Sequence, residues 1–379
     1  MIAESHHPAD LPAEDVVAWR AMCAAQPAFD SPLMGPDFAL AVGRARADAR
    51  VAVWRRDGRA IGFLAHHLRP GGLARPIGAP LSDYHGLVSE GPLDAGQALA
   101  AAGLAAYRFT GLVDPFDIFA SGVTGRSQGF VIALEGTAED YLEALRAQSP
   151  KRFKNYRRLM SKLEREVGEL VVAAPDVSQE SFEKLIAWKR AQLQRTGLHD
   201  FLGAEWTRGL LDDLFARREG EFKGLMIGLY AGGRLMAGQF GVRLGQVFHP
   251  WIASTDPDMG AWSPGQLFFL KAIAAMPGAG LKVYDLAGGH EHYKRPYALS
   301  SRATADGVAT ADTAAGRGAR MAEAAWAMAG ANRDGAAASL RRRLDIIATT
   351  ELSLAGRARG LALAIAARAR RAPGESELV

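Results

Sequence analysis

The stretch from Gly224 to Ala298 limits this chain most. It reads GLMIGLYAGGRLMAGQFGVRLGQVFHPWIASTDPDMGAWSPGQLFFLKAIAAMPGAGLKVYDLAGGHEHYKRPYA. Three strand-like runs come first. They are joined by Ala231-Gly232-Gly233 and Gly245-Gln246, connections short enough and rich enough in glycine for hairpins. The third run, Val247 to Thr255, ends in a polar loop. A helix is predicted to open at Ser263-Pro264-Gly265, with Ser263 as N-cap and Pro264 in the first helical position. Leu267, Leu270, Ile273 and Ala274 give it an apolar face, and Pro277-Gly278 stops it. A fourth strand, Leu281 to Leu286, follows and ends at Gly288-Gly289. The order is therefore an antiparallel meander, a helix, and a strand that returns beside the meander.

That order, with SPGQLFFLKAI followed by YDLAGGHEHYKRPYA, resembles the GNAT acyltransferases. Within them it is most similar to the BioF2-like or CelD-like branch, which is related to the FemAB peptidyltransferases. The resemblance covers roughly residues 130 to 300 well and the N-terminal part more loosely. It implies an α/β (α+β) chain with tandem GNAT-like domains, each a mixed, mostly antiparallel sheet flanked by helices. Its expected bounds are 1–135 and 136–300, with an Ala/Arg-rich helical tail over 301–379.

The N-terminal part is consistent with a second, degraded copy. Arg50–Trp54 and Arg59–Leu68 read as strands around Asp57-Gly58, a hairpin dipeptide. A short strand and the loop Ala79 to Gly86 follow, then a helix over Ala95–Phe109 and strands at Phe116–Ala120 and Gly129–Leu134. Helices are expected at 140–148, from Pro150 to Val167, from Ser178 to Arg195, and from Gly203 to Arg218. After Ala298 the spacing predicts a Gly/Ala linker and helices near 318–330, 336–349 and 353–371. The last of these could touch a membrane surface, but its apolar face is mostly alanine, which makes insertion weak.

The helix from Pro150 carries Lys151, Arg152, Lys154, Arg157, Arg158, Lys162 and Arg165 around a stripe of Phe153, Tyr156, Met160, Leu163 and Val167. A solvated face is the ordinary reading of such a run. Charges of nearly one sign also suit a phosphorylated ligand or polyanion.

The chain has 379 residues, 49% of them hydrophobic, and a formal net charge of +4. That permits a phosphate-bearing ligand without demanding nucleic acid, and no DNA partner is expected. Cys23, the one cysteine, can form no intramolecular disulfide, which fits a reducing, cytoplasmic compartment. No signal peptide is expected, and no uncharged apolar run reaches the ~18 residues that span a bilayer.

Acyl transfer from a thioester to an amine needs few side chains. The amine must lose a proton, the oxyanion needs a donor, and the thiolate leaves more easily when protonated. The resemblance implies an acetyl-CoA or other acyl-CoA donor lying between strands 247–255 and 281–286. Its pyrophosphate would sit at the following helix start, on Gly260, Trp262, Ser263, Gly265 and Gln266. The usual Gln/Arg-x-x-Gly-x-Gly/Ala loop of these proteins is missing, and Pro264 removes one N–H donor.

Three polar groups are candidates for proton chemistry: Asp83 and His85 with Tyr84 in the loop between them, His249 in mid-strand, and Tyr293 beyond the last strand. The resemblance implies that Tyr293 protonates the thiolate. Asp83 or His85 is a candidate to take the amine's proton. Aromatic packing is the competing reading for Tyr293, and a buried structural group for His249. Tyr84, Asp285, His290, Glu291, Lys294, Lys151, Arg152 and Arg157 are candidates for substrate binding. His290 and His292 are too sparse a pair for a metal site, and no metal is expected. The resemblance implies an acceptor that is a small molecule or saccharide tied to exopolysaccharide or cell-envelope synthesis. Two alternatives stay open: an aminoacyl-tRNA-dependent transferase, and a non-catalytic accessory protein of a polysaccharide-synthesis assembly.

Overall fold

The protein's computed structural model describes residues 1–289, 291–330 and 335–370. The chain forms two compact units. The first holds Met1–Gln128, Gly197–Leu210 and the chain from Ala303; the second holds Gly129–Thr196 and Leu211–Arg302.

In chain order the elements begin with β1 (Ile2–His6), α1 (Ala13–Ala25), α2 (Pro36–Ala45), β2 (Ala49–Arg56), β3 (Arg59–Arg69), β4 (Leu73–Pro76), β5 (Val88–Ser89), α3 (Ala95–Ala101) and β6 (Ala106–Leu112). Next come β7 (Val123–Ala133), α4 (Ala138–Gln148), α5 (Pro150–Glu166), β8 (Leu170–Ala173), α6 (Gln179–Arg195), α7 (Glu205–Ala216), β9 (Phe222–Ala231), β10 (Arg234–Leu244), β11 (Val247–Thr255), α8 (Pro264–Ala275) and β12 (Val283–Asp285). The chain closes with α9 (Glu291–Lys294), β13 (Ser300–Thr310), α10 (Ala314–Met328), α11 (Ala336–Thr350) and α12 (Leu354–Arg370).

The strands of each unit follow one plan. In the second unit β8, β9, β10 and β11 run antiparallel in that order, β12 lies parallel to β11, and β7 is antiparallel to β12. In the first, β1, β2, β3 and β4 run antiparallel, β6 lies parallel to β4, and β13 is antiparallel to β6. A helix, α8 or α3, connects each parallel pair. The sixth strand of each unit comes from chain that follows the other unit's fifth strand in sequence.

Local sequence accounts for most of this. Gly232 and Gly233 sit at φ 55° and 79° between Ala231 and Arg234, the left-handed pair a tight hairpin needs. Asp57 and Gly58, at φ 52° and 79°, do the same between β2 and β3. Helix α8 is buried nearly all round, with Leu267, Phe268, Phe269 and Ile273 within the second unit's core. Withdrawing each such side chain from water is worth roughly 1.5–3 kcal/mol. The other face of that sheet packs on α6 and α7, where Phe182 stacks on Phe215 at 4.2 Å and meets Phe240 of β10.

The expected helix over 95–109 stops at Ala101, since Gly103 turns left-handed at φ 68°; Ala106 onward is strand β6. Phe116–Ala120 is not a strand. It forms a turn whose amides at Ile118 and Phe119 are held by the Asp114 carboxylate. The expected linker after Ala298 is strand β13. Its alanines 305 and 309 are buried in the first core, and β6 supplies its ladder.

Helix α11 is bound into the first unit by charge. Asp345 pairs with Arg75 at 2.9 Å and Arg108 at 2.5 Å. Arg69 and Arg46 donate to the last carbonyls, Ala348 and Thr349, each at 2.8 Å, where the helix dipole favours cations. No helix among the described residues is long and apolar enough to cross a membrane.

Candidate active site

Strands β11 and β12 pair at only two positions, Val247 with Val283 and Phe248 with Tyr284. β11 then runs on to Thr255 while β12 ends at Asp285. From His249 onward, β11 therefore has β10 along one edge and no ladder partner among the described strands along the other. A bulge helps it diverge: Phe240 faces Ile252 and Gly241 faces Pro250, which leaves Trp251 as the extra residue.

The turn from Pro257 to Trp262 leads from the open strand to α8. Asp256 fixes its start, accepting from the Asp258 amide at 3.0 Å and pairing with Arg234 at 2.7 Å. Ser263 occupies the N-cap position, but its side chain caps nothing. Its backbone is left-handed at φ 51°, a conformation that costs a non-glycine residue roughly 1–3 kcal/mol. This corrects the expectation of a hydroxyl cap.

The amides here are largely spent. Ser263 N–H donates to Gly260 O at 3.1 Å and Gln266 N–H to Ser263 O at 3.0 Å, while Pro264 has none. Gly265 is the residue of that first turn whose amide has no acceptor among the described residues. Gly260 and Gln266 are exposed. Trp262 turns its indole toward α5 and donates to Glu166 at 3.0 Å.

Tyr293 reaches this turn. A β-carbon placed on Gly265 would lie 3.5 Å from the Tyr293 hydroxyl and 3.5 Å from the Thr255 methyl, so helix start, tyrosine and open-strand end converge. The Tyr293 ring meets Phe269 edge-on at 5.1 Å. Burial pushes its pKa up to about 12, so the hydroxyl keeps its proton at neutral pH. Among the described residues that hydroxyl makes no hydrogen bond.

The other candidates divide. Asp285 is fully buried and accepts from the Ala287 amide at 3.1 Å and Arg302 at 3.3 Å, contacts that brace the end of β12. Lys294 donates to Gly288 O at 2.7 Å. His290 lies outside the described residues, as does the side chain of Glu291. Lys151, Arg152, Lys154 and Arg157 are exposed on α5, and none pairs with a carboxylate among the described residues. Lys162 and Arg165 instead pair with Glu166. His249 is fully buried opposite Val242, on the face turned toward α6 and α7.

Asp83, Tyr84 and His85 belong to the first unit. Tyr84 and His85 are buried and Asp83 is exposed. Both ring nitrogens of His85 are engaged: Nδ1 lies 3.1 Å from Ser82 O, and Nε2 accepts from the Thr110 amide at 3.2 Å. Burial lowers its pKa to about 4, which keeps the ring neutral. Among the described residues no group of three or more His, Cys, Asp or Glu side chains is placed to hold a metal.

From the sequence alone, Tyr156 falls in an apolar stripe and Tyr297 is given no role. Their hydroxyls meet at 2.9 Å, and Tyr297 also donates to Gln266 O at 3.2 Å. A tyrosine in the apolar stripe of a basic helix was the signal available.

Residues 150–295 match the family model described as acetyltransferase (GNAT) domain. No curated protein sequence matches the chain. Among solved structures, FemX is similar at 10% identity over 80% of this chain and 96% of its own, with a TM-score of 0.51; that likeness is one of fold. A tandem GNAT protein from the clavulanic acid biosynthesis pathway aligns at 14% identity over 82% of this chain and 99% of its own, with a TM-score of 0.44. A GCN5-related N-acetyltransferase from Sphaerobacter thermophilus aligns at 12% identity over 82% and 95%, with a TM-score of 0.43. The matched segment spans α5, the parted strands and the start of α8, and on that ground the chain is an acyltransferase whose residues 150–295 match the acetyltransferase (GNAT) domain.

Proposed function

We infer that the protein transfers an acyl group from an acyl-CoA-type thioester to an amine, and that the donor occupies the opening between β11 and β12. The observation that carries this reading is the convergence of Thr255, Gly265 and the Tyr293 hydroxyl where β11 ends and α8 begins. The donor's phosphates face Gly265 N–H and the unpaired cations of α5. With so few free amides at the helix start, charge from Lys151, Arg152, Lys154 and Arg157 supplies the anion affinity that backbone N–H groups commonly give.

In the reaction the amine nitrogen bonds to the thioester carbon and the C–S bond breaks. The electron pair leaves with sulfur, and Tyr293 O–H supplies the proton that sulfur takes. The amine's proton passes through water to the tyrosinate left behind, which restores the Tyr293 hydroxyl. His85 is unsuited to take it, because neither of its nitrogens is free. The acceptor is a small molecule or saccharide of exopolysaccharide or cell-envelope synthesis. That class rests on the BioF2-like and CelD-like resemblance alone.

A second reading has one observation in its favour. Four unpaired cations along the first turns of α5 exceed what one pyrophosphate needs and suit an RNA backbone, as in an aminoacyl-tRNA donor. Calorimetric titration separates the readings. Micromolar binding of acetyl-CoA is expected; tRNA binding without CoA binding would favour the second. Binding of neither would sink both and leave an accessory role in a polysaccharide-synthesis assembly.

A further inference from the structure

Helix α5 is fastened to the donor turn at two places. Near its middle, the Tyr156 hydroxyl meets the Tyr297 hydroxyl at 2.9 Å, and Tyr297 reaches Gln266 O, in the first turn of α8, at 3.2 Å. Gln266 O can only accept, so the Tyr297 proton lies toward it. Tyr156 is then the donor in the tyrosine pair. At the C-terminal end of α5, Glu166 accepts from the Trp262 indole at 3.0 Å, and Lys162 lies over that indole at 5.8 Å. Tyr297 is itself held, stacked on Phe269 at 4.6 Å, its carbonyl accepting from Tyr141 at 3.0 Å.

These bonds do more than close a core. Phe153, Leu159 and Leu163 already bury the apolar stripe of α5, and apolar contact is non-directional. A helix held only that way can slide or roll by a fraction of a turn. Each turn it advances moves a cation by about 5.4 Å, enough to lose a phosphate contact. Two directional bonds, to the turn before α8 and to its first turn, remove that freedom. They fix Arg152 and its neighbours relative to the Gly265 amide.

We propose that Tyr297, with Tyr156, is a positioning pair for the donor: it sets the register of the basic helix against the start of α8, so that the cations of α5 and the Gly265 amide hold the same phosphates. This rests on the donor placement proposed above. Neither tyrosine touches donor or acceptor; both act through α5.

The test is calorimetric binding of coenzyme A across a salt series, with wild type, Tyr297→Phe, Tyr156→Phe, the double variant and Tyr141→Phe. Each of the first two changes keeps the ring and cuts the same link. Each is expected to weaken binding about 3- to 10-fold at low salt, the size of one net hydrogen bond, and the double variant no further. The deficit should shrink as salt rises, because only the screened contribution of α5 is lost. Tyr141→Phe removes two hydrogen bonds of the same cluster, to the Tyr297 carbonyl and from the Leu299 amide, and leaves the Tyr156–Tyr297 and Tyr297–Gln266 bonds in place. It should lower melting temperature as much as the others while keeping wild-type affinity. Salt-dependent wild-type binding that Tyr297→Phe leaves unchanged would overturn the positioning role alone. So would a loss shared equally by Tyr141→Phe. A wild type whose coenzyme A affinity is absent or salt-independent would overturn the donor placement, and this proposal with it.

Discussion

The Tyr293 hydroxyl lies 3.5 Å from the point where a β-carbon on Gly265 would stand. One is the first aromatic residue beyond the last strand of its sheet, the other the second residue of the helix before it. A hydroxyl whose proton burial holds in place up to about pH 12 is an acid and not a base. Tyr293→Phe should therefore lower turnover roughly a hundredfold or more with donor affinity little changed. Turnover within twofold of wild type would remove Tyr293 from the chemistry.

Gly265→Asp tests the anion site without endangering the fold. The added β-carbon meets only ordinary contacts, and a carboxylate in the first turn of a helix stabilises it by about 0.3–1 kcal/mol. Stability and donor binding should move in opposite directions. Melting temperature is expected to hold or rise, while coenzyme A affinity falls at least about tenfold, the scale of one buried like-charge contact. Unaltered affinity would place the phosphates elsewhere.

How much of this was legible follows from where each constraint lies. The meander showed itself because Gly232, Gly233 and Gly245 mark their turns locally, and α8 because Pro264 and Pro277 bracket it. Strand β13 did not. Its residues are small and polar, and it is a strand because β6 offers a ladder some 200 residues away, a case of tertiary context overriding propensity. The basic face of α5 was visible as a pattern. Its fastening was not, since Tyr156 and Tyr297 are 141 residues apart and meet only in the fold. The cluster around His290 looked rich in chemistry; of its described side chains, Tyr293 is the one that meets the helix start at Gly265.

Acid should unfold the first unit. His66, His67 and His85 are buried there, and burial lowers each pKa to about 4. His67 Nε2 accepts the Gly78 amide at 2.8 Å, so its proton sits on Nδ1 facing Asp48; desolvation outweighs that carboxylate's pull. These are depressed folded pKa values. Between pH 4 and 6.5 the unfolded chain binds more protons than the folded one, so stability is present above pH 6.5 and falls as pH drops. The slope is about 1.4 kcal/mol per pH unit per histidine. Scanning calorimetry from pH 7 to 4.5 should show melting temperature falling steeply, and less steeply in His66→Gln. A flat profile would mean that these rings protonate without unfolding.

The last prediction concerns how many donors one chain binds. The first unit repeats the parting of the second: β4 and β6 pair at Leu73 with Ala106 and Ala74 with Tyr107, and no further. There the gap is filled by the chain itself. His85 lies beside Leu112 as a bridge, its amide donating to Gly111 O at 3.4 Å and its carbonyl accepting from Val113 N–H at 2.8 Å. The fit is close enough to require glycine twice. A β-carbon on Gly111 would fall 2.1 Å from Asp83 O, and one on Gly86 would fall 2.3 Å from Val113 O. Gly111 also sits at φ 94°, which L side chains rarely adopt. The loop that carries Asp83, Tyr84 and His85 thus stands where a donor would enter this unit. Titration with coenzyme A should saturate at one molecule per chain. Gly111→Ala should destabilise the protein by at least about 1–3 kcal/mol through strain and clash, while the remaining folded protein still binds one. A stoichiometry of two would mean that this loop yields its place to a ligand and that the first unit is a donor site as well.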